Sequence, residues 1–553
     1  MKKLLRPFCF SILTAVAVPT WAAAQTTQRA SVSSSGGQSG FTCQVSDISD
    51  NGRIVAFETS GDQLVPGDTN FVNDIFVHDF DTGETKRVSV SSAGGQSNAA
   101  SSQPSLSADG RHVAFTSYAS NLVANDMNND ADIFLHDRQT GTTTRVSLSS
   151  SGEEAEAHCL SPVLSPNARY VTFITASPNF NSIGTTQWEV YLRDLQTGIT
   201  DHVSVGMGGQ PADASADAPS LSDDGRFVVF SSIASNLVPG DTNGAQDVFV
   251  RDRLAGTTVR VSVDPSGNQT GAPGASCLGA RITNDGRYVV FWSGAGNIVP
   301  GDDNGSHDVF MRDLQEETTV RLSEGPDGEQ GTFPSRHPFM TPDGRYVAFE
   351  SWAQNITPGD TAFYHDIILQ DLWSGVTRRV SLDTAGLDPN GHSYKPALSK
   401  NGRWVVFESS ASDLIADDTN GWQDIFRYGP MLRDPLVDVD LNGADGPVTL
   451  PLGVPANITI AFDAGDHTGT HFDWWLWAEA PNGTTFWMLA NMSWIASPVP
   501  ISTYQGGTIS FPHVPIISGA TLPAGTYRIH FALDAPDGVL NETYRDTVEF
   551  TIQ

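Results

Sequence analysis

The stretch Pro104-Ser-Leu-Ser-Ala-Asp-Gly-Arg-His-Val-Ala-Phe-Thr-Ser117 decides the fold. It reads as a short alternating strand, a tight Asp-Gly turn and a second strand. Its centre, Asp/Asn-Gly/Ala-Arg-x-Val-x-Phe or a close variant, occurs seven times, with the arginine at Arg53, Arg111, Arg169, Arg226, Arg287, Arg345 and Arg403. The spacings are 58, 58, 57, 61, 58 and 58 residues. Self-similarity at that period, in units of short strands and turns, predicts an all-β fold built as a seven-bladed β-propeller.

Working outward, each unit supplies two more strands. In the fourth unit the loop Asn236-Leu-Val-Pro-Gly-Asp-Thr-Asn-Gly-Ala-Gln246 leads to a strand Asp247-Val-Phe-Val-Arg-Asp252, a turn at Gly256 and a strand Thr258-Val-Arg-Val-Ser-Val263. Four antiparallel strands make a blade.

The ends of the array predict how the ring closes. Third-strand signatures begin at Asp74, Asp132, Glu189, Asp247, Asp308, Asp366 and Asp424, and fourth-strand Arg-x-Ser signatures at Arg29, Arg87, Arg145, Arg260, Arg321 and Arg379, with His202 in the equivalent place. The first fourth-strand copy precedes every other element, and the last unit stops at Tyr428 without one. The N-terminal strand is therefore expected to complete the last blade, which removes two exposed strand edges.

Over residues 26–430 the Pro-x-x-Ser-x-Asp-Gly-Arg-x-Val-x-Phe run, as in Pro219 to Phe230, with Asp247 to Asp252 and Thr197-Gly198, resembles the WD40-like repeat of TolB-type propellers. The resemblance implies the fold and leaves the activity open, since such propellers serve as binding scaffolds, peptidase gates and sugar-lyase cores. The long acidic loop between the second and third strands departs from the compact form of that repeat.

Lys2, Lys3 and Arg6 precede an apolar stretch from Phe8 to Val18, and Ala22-Ala-Ala24 offers a small-residue cleavage site. Residues 1–24 thus read as a secretory signal, and a periplasmic or extracellular location is expected. No later stretch is long and apolar enough to span a membrane. Removing residues 1–24 takes away three basic groups and no acidic ones, moving the formal charge from −32 to −35. That excess argues against nucleic acid and anionic lipid as partners and permits cations, basic proteins or neutral glycans. A monomer is the expected state.

Cys43, Cys159 and Cys277 each stand ten residues before a motif arginine, in blades one, three and five. Equivalent positions in non-adjacent blades exceed the Cα separation of about 7 Å that a disulfide tolerates, so free thiols are expected.

The acidic loops hold the candidate metal ligands. Aspartate stands six residues before the third-strand acid at Asp68, Asp126, Asp241, Asp302, Asp360 and Asp418, and asparagine follows two residues later at Asn70, Asn128, Asn243, Asn304 and Asn420. With Asp74, Asp132, Asp247, Asp308 and Asp424 these place hard oxygens at positions 1, 3 and 7, a pattern that can wrap calcium. The alternative is an Asx-turn that caps a long hairpin. Blades three and six break the pattern: Asn179 to Trp188 lacks the first acid, and blade six carries Ala362, Phe363, Tyr364 and His365, with Arg336 and His337 in its preceding loop. Phe363, Tyr364 and His365 are ligand candidates on the loop face, against a background of drift in a tolerant loop.

Catalytic signatures are absent: there is no Gly-x-Ser-x-Gly elbow, His-Glu-x-x-His or paired Cys-x-x-Cys. His307 and His365 read as surface residues, and basic groups look scarce in the inner strands. Residues 431–435 read as a linker and 436–553 as a second module, an antiparallel β-sandwich whose opening Asn442 to Thr449 resembles immunoglobulin-like modules of bacterial exported proteins. In its run His471 to Ala478, Trp475 and Trp477 share one face and Trp474 the other. Trp474 is a candidate platform for sugar rings, with core packing as the alternative. The combined reading is a secreted, non-enzymatic binding or scaffold protein for a protein or glycan ligand. The alternative is an envelope carbohydrate-processing enzyme such as a propeller lyase, which convergent His, Arg and Lys at the channel would favour.

Overall fold

The computed structural model describes residues 26–180, 186–270 and 276–431, and beyond them the strands and short connections 436–441, 448–450, 456–463, 471–481, 485–488, 494–496, 504–507, 511–520, 525–534 and 544–552. The expected signal sequence, the linker from 432, residues 181–185 of the blade-three loop and 442–447 lie outside the described residues. Two compact units result, one drawn from residues 25–372 and 376–431 and the other mainly from 432–553.

The first unit is a seven-bladed propeller of four-stranded antiparallel sheets. Blade one comprises Cys43–Ile48, Ile54–Thr59, Asp74–Asp79 and Glu84–Arg87, and blades two to six repeat this order over 101–145, 159–202, 216–260, 277–321 and 335–379. Blade seven takes Ser393–Leu398, Val405–Ser409 and Asp424–Gly429, and Thr26–Arg29 completes it, with Thr26 opposite Gly429 and Arg29 opposite Phe426. The expected closure is thus found. Apart from the short 3-10 turns Pro178–Phe180 and Met207–Gly209, the described residues contain no helix, and none is long and apolar enough to cross a membrane.

The repeat motif folds this way because each of its residues has one task. The phenylalanine lies across from the third-strand aromatic, as in Phe57–Phe76 at 6.0 Å and Phe230–Phe249 at 5.9 Å between ring centroids. These rings are fully buried in apolar layers that join neighbouring blades. The layer between blades seven and one, with Val406 and Ile425 against Val55 and Phe57, is built like the others. The motif arginine forms a forked pair with the last third-strand residue: Arg53 Nε and Nη2 donate to Asp79 at 2.7 and 2.6 Å, and the pairing recurs at Arg111–Asp137, Arg169–Asp194, Arg226–Asp252, Arg287–Asp313 and Arg345–Asp371. The turn glycine is required by space as well as conformation: at Gly52, φ +71°, a Cβ would lie 2.3 Å from the Trp404 indole of blade seven.

First strands line the channel, which encloses a cavity of about 360 Å³ bordered by Asp47, Gln103, Ser161, Ala218, Gly279 and Phe339, among others. Each first strand carries a bulge midway. In blades two to seven the bulge residue is left-handed: Gln103, Ser161, Ala218, Gly279, His337 and Lys395, with φ between 44° and 62°.

The second unit has a three-stranded sheet, in the order Leu436–Leu441, Ala456–Asp463, Phe511–Ala520, and a seven-stranded sheet centred on His471–Glu479 and Gly525–Asp534. Among its described strands all pairings are antiparallel except Val448–Leu450 with Tyr544–Ile552, which is parallel and departs from the purely antiparallel expectation. Trp477 is buried and stacks on His530 at 4.6 Å. The side chains of Trp474 and Trp475 lie outside the described residues.

Candidate functional site

The hairpin between third and fourth strands folds an arginine back onto the acidic loop. Arg87 Nη1 lies 3.1 Å from Asp68 and 3.5 Å from Asp74. The same arrangement joins Arg145 to Asp126 and Asp132, Arg260 to Asp241 and Asp247, Arg379 to Asp360 and Asp366, and Arg29 to Asp418 and Asp424, while Arg321 lies 3.8 Å from Asp302. The serine of Arg-x-Ser completes it: Ser89 and Ser262 donate to Asp74 and Asp247 at 2.5 Å. In blade three His202 meets Glu189, so the basic and acidic partners change together.

The spacing therefore does bring the expected oxygens together, yet they converge on a guanidinium. The asparagines point the wrong way for a cation. Asn70 Nδ2 donates to Asp74 at 2.9 Å and to the Ser97 carbonyl at 3.1 Å, and Asn128, Asn243, Asn304 and Asn420 repeat both bonds. Their Oδ1 atoms accept from a backbone N–H two residues on, as at Asn243 and Ala245, 3.0 Å apart. That is the Asx-turn geometry. The one tight acidic triad among the described residues, Asp126, Asp132 and Glu154, is likewise held by Arg145, whose Nη1 is 2.6 Å from Glu154. These loops do not fit a calcium cage. Burial raises the Asp132, Asp302 and Asp360 carboxyls to about 6 despite the nearby arginines.

The departures of blade six lead elsewhere. His365, directly before the third strand, stacks on Trp352 at 5.5 Å and lies 5.1 Å from Tyr394 and 5.4 Å from His392. Tyr364 meets His392 edge-on at 5.0 Å, and Phe363, 62% exposed, meets Phe333 at 6.2 Å. On the blade-five side, Trp292 packs against His307 at 4.9 Å and His337 at 6.0 Å. The Arg336 guanidinium lies 5.5 Å over the Trp292 ring, and its Nη2 donates to His307 Nδ1 at 2.9 Å. His307 and His365 are thus half-buried members of a cluster, which corrects their reading as surface residues. Burial first, then the charge on Arg336, holds His307 below the usual imidazole range, and burial lowers His392.

Buried glutamates support this cluster from beneath. Glu350 accepts from His337 Nδ1 at 2.9 Å and from the Lys395 backbone N–H at 3.0 Å. Burial works to raise its carboxyl, and the bond to and charge of His337, together with the Lys395 N–H, more than offset that, so it stays below the ordinary glutamate value. Glu408 lies 3.4 Å from Lys395 Nζ and accepts from Gln423 at 2.8 Å. His337 and Lys395 are the left-handed bulge residues of blades six and seven, so the strained positions of this sector carry basic side chains where other blades carry Gln, Ser, Ala or Gly. A neighbouring recess of about 280 Å³ between blades seven and one is lined by Glu58, Phe41 and Trp422, the last two stacked at 6.1 Å.

Sequence reasoning found Phe363, Tyr364, His365, Arg336 and His337 but missed Trp292, Trp352, Glu350, His392, Tyr394, Lys395 and Glu408. The expected scarcity of basic groups at the inner strands does not hold in this sector. A signal was available: with the seven repeats superposed, the position after the motif phenylalanine reads Glu58, Thr116, Ile174, Ser231, Trp292, Glu350 and Glu408, and three adjacent blades share the acid.

No protein-family model matches the chain, and no curated protein matches it. Among solved structures it is similar to a putative TolB from Agrobacterium tumefaciens, at 13% identity, covering 63% of this chain and 95% of that one with a TM-score of 0.34. It is also similar to the Cps50 β-propeller domain of Myceliophteria thermophila, at 11% identity, 71% and 98% coverage and a TM-score of 0.37. A third is the GH74 enzyme of Niastella koreensis, at 11% identity, 93% and 73% coverage and a TM-score of 0.40.

Proposed function

We propose that this is an exported binding protein that grips a glycan on the loop face of its propeller, where blades five, six and seven meet the channel. One observation carries the reading: Trp352, Tyr394 and His392 lie within 5.5 Å of the His365 ring, and on the blade-five side Trp292 and His307 pair at 4.9 Å. Sugar rings are bound by such flat apolar faces flanked by polar groups that satisfy their hydroxyls. The leader-like first 24 residues support export to the periplasm or exterior. A glycan array probed with the full chain tests the reading, with Trp352→Ala and Tyr394→Ala as controls. Binding lost in both variants with little change in melting temperature is expected. Capture of a protein partner with no glycan bound would replace the glycan by a scaffold role.

A second reading has its own observation. The Glu350–His337 pair fixes the imidazole through Nδ1 and leaves Nε2 available, while the His337 side chain is 44% exposed. That is the arrangement of a general base held by a carboxylate, and it suits a carbohydrate-processing enzyme. Product release from a bound glycan, abolished in His337→Gln, is the test.

A further inference from the structure

Some of the unsatisfied polar atoms of the propeller lie in this same cluster. Trp292 Nε1, Arg336 Nε, Trp352 Nε1 and His365 Nδ1 are buried and have no hydrogen-bond partner among the described residues. Arginine Nε atoms in this state recur around the propeller, at Arg29, Arg87 and Arg260 among others, whereas both indole N–H groups in this state among the described residues belong to this cluster. Trp292 is held rigidly there: a Cβ on Gly279 would come within 2.7 Å of its Nε1, so the bulge glycine of blade five makes room for the indole.

Arg336 is the distinctive member. The fourth-strand arginines of the loop face all lie against carboxylates. Arg336 forms no ion pair with any described residue, although the chain carries a net charge of −32. Its cross-strand neighbour Glu350 spends its two oxygens on His337 and on the Lys395 backbone. The acceptor Arg336 does have is His307 Nδ1, so its guanidinium is held by an imidazole and by no carboxylate oxygen within ion-pair distance among the described residues.

We infer that the glycan bound here is acidic, with an oxyanion of one sugar, a carboxylate or a sulfate ester, seated on Arg336. The inference rests on the glycan-binding reading and adds the charge of the ligand. A guanidinium placed over an indole and tied at one nitrogen to His307 is pre-oriented to offer its remaining N–H groups to an oxyanion. The sugar ring that bears the oxyanion then lies against the exposed aromatic edge of the cluster.

The test is an array of neutral, carboxylated and sulfated glycans probed with the full chain, followed by titration of the strongest binder and its charge-neutralised form. Preference for acidic glycans is expected, and the carboxylated and sulfated arms tell the two oxyanions apart. Arg336→Gln should weaken the acidic glycan about tenfold to hundredfold and leave its neutral form unchanged. Arg336→Lys should restore part of the loss, because charge returns without the fork. A structural arginine would behave differently: Arg336→Gln would lower the melting temperature and weaken both forms alike, and that result overturns the inference. Exclusive binding of neutral glycans also overturns it while leaving the glycan-binding reading intact. No binding to any glycan removes both.

Discussion

Ser31 Oγ donates a 2.5 Å hydrogen bond to Asp424 Oδ1, joining residues 393 apart in sequence. The same bond links Ser381 to Asp366 at 2.5 Å, only 15 residues apart. One local geometry therefore serves both the interior of a blade and the closure of the ring.

Ser31→Ala and Ser381→Ala should each cost about 1–3 kcal/mol, because a buried carboxylate loses a donor. The two should differ in where the structure loosens. Hydrogen exchange at Asp424–Gly429 should accelerate in Ser31→Ala and stay unchanged in Ser381→Ala. Deleting residues 26–33 should go further and cause aggregation through the freed edge; an unchanged melting temperature after that deletion would refute closure.

The pH profile should have opposing limbs. Asp132, Asp302 and Asp360 have folded values of about 6 through burial, above the ordinary range near 4. The folded state holds their protons more tightly than the unfolded one, so stability should rise as pH falls from about 7 towards 4. Asp79 and Asp194 behave oppositely: the bonds from Arg53 and Arg169 bring them to about 2. Their contribution is present above the unfolded value and is lost as pH falls towards 2. Thermal melts between pH 3 and 8 should peak near pH 4–5, and Asp302→Asn should flatten the upper limb.

Calcium at millimolar concentration should leave the melting temperature unchanged, and EDTA likewise, because Arg145 and its counterparts supply the positive charge in the acidic loops. Arg145→Gln should free Asp126, Asp132 and Glu154, and the variant should then gain stability with added calcium. A calcium-dependent rise in the unaltered protein would contradict the arginine assignment.

Trp477→Ala should cost about 3–5 kcal/mol in the C-terminal unit, since a buried ring stacked on His530 is lost. Trp474, on the other face of the strand, should tolerate alanine with the unit folded. Near-ultraviolet circular dichroism and melting curves distinguish the two, and equal loss in both would mean that both faces of the strand are covered.

The sequence by itself determined the number of blades, the four strands of each and the strand that closes the ring. Those features depend on contacts within some 60 residues, or on a signature missing from one end and present at the other, and turn chemistry and side-chain alternation record such contacts locally. It also marked blades three and six as exceptions. Tertiary structure decided what the acidic loops hold: oxygen spacing along the chain was compatible with calcium, and a hairpin placed Arg87, Arg145 or their equivalents between the oxygens instead. It also decided the candidate site. Trp292, Arg336, Glu350, His392 and Lys395 come from three blades and are spread over about a hundred residues of chain. No one repeat holds them all, and only radial packing of the blades brings them to one place at the channel mouth.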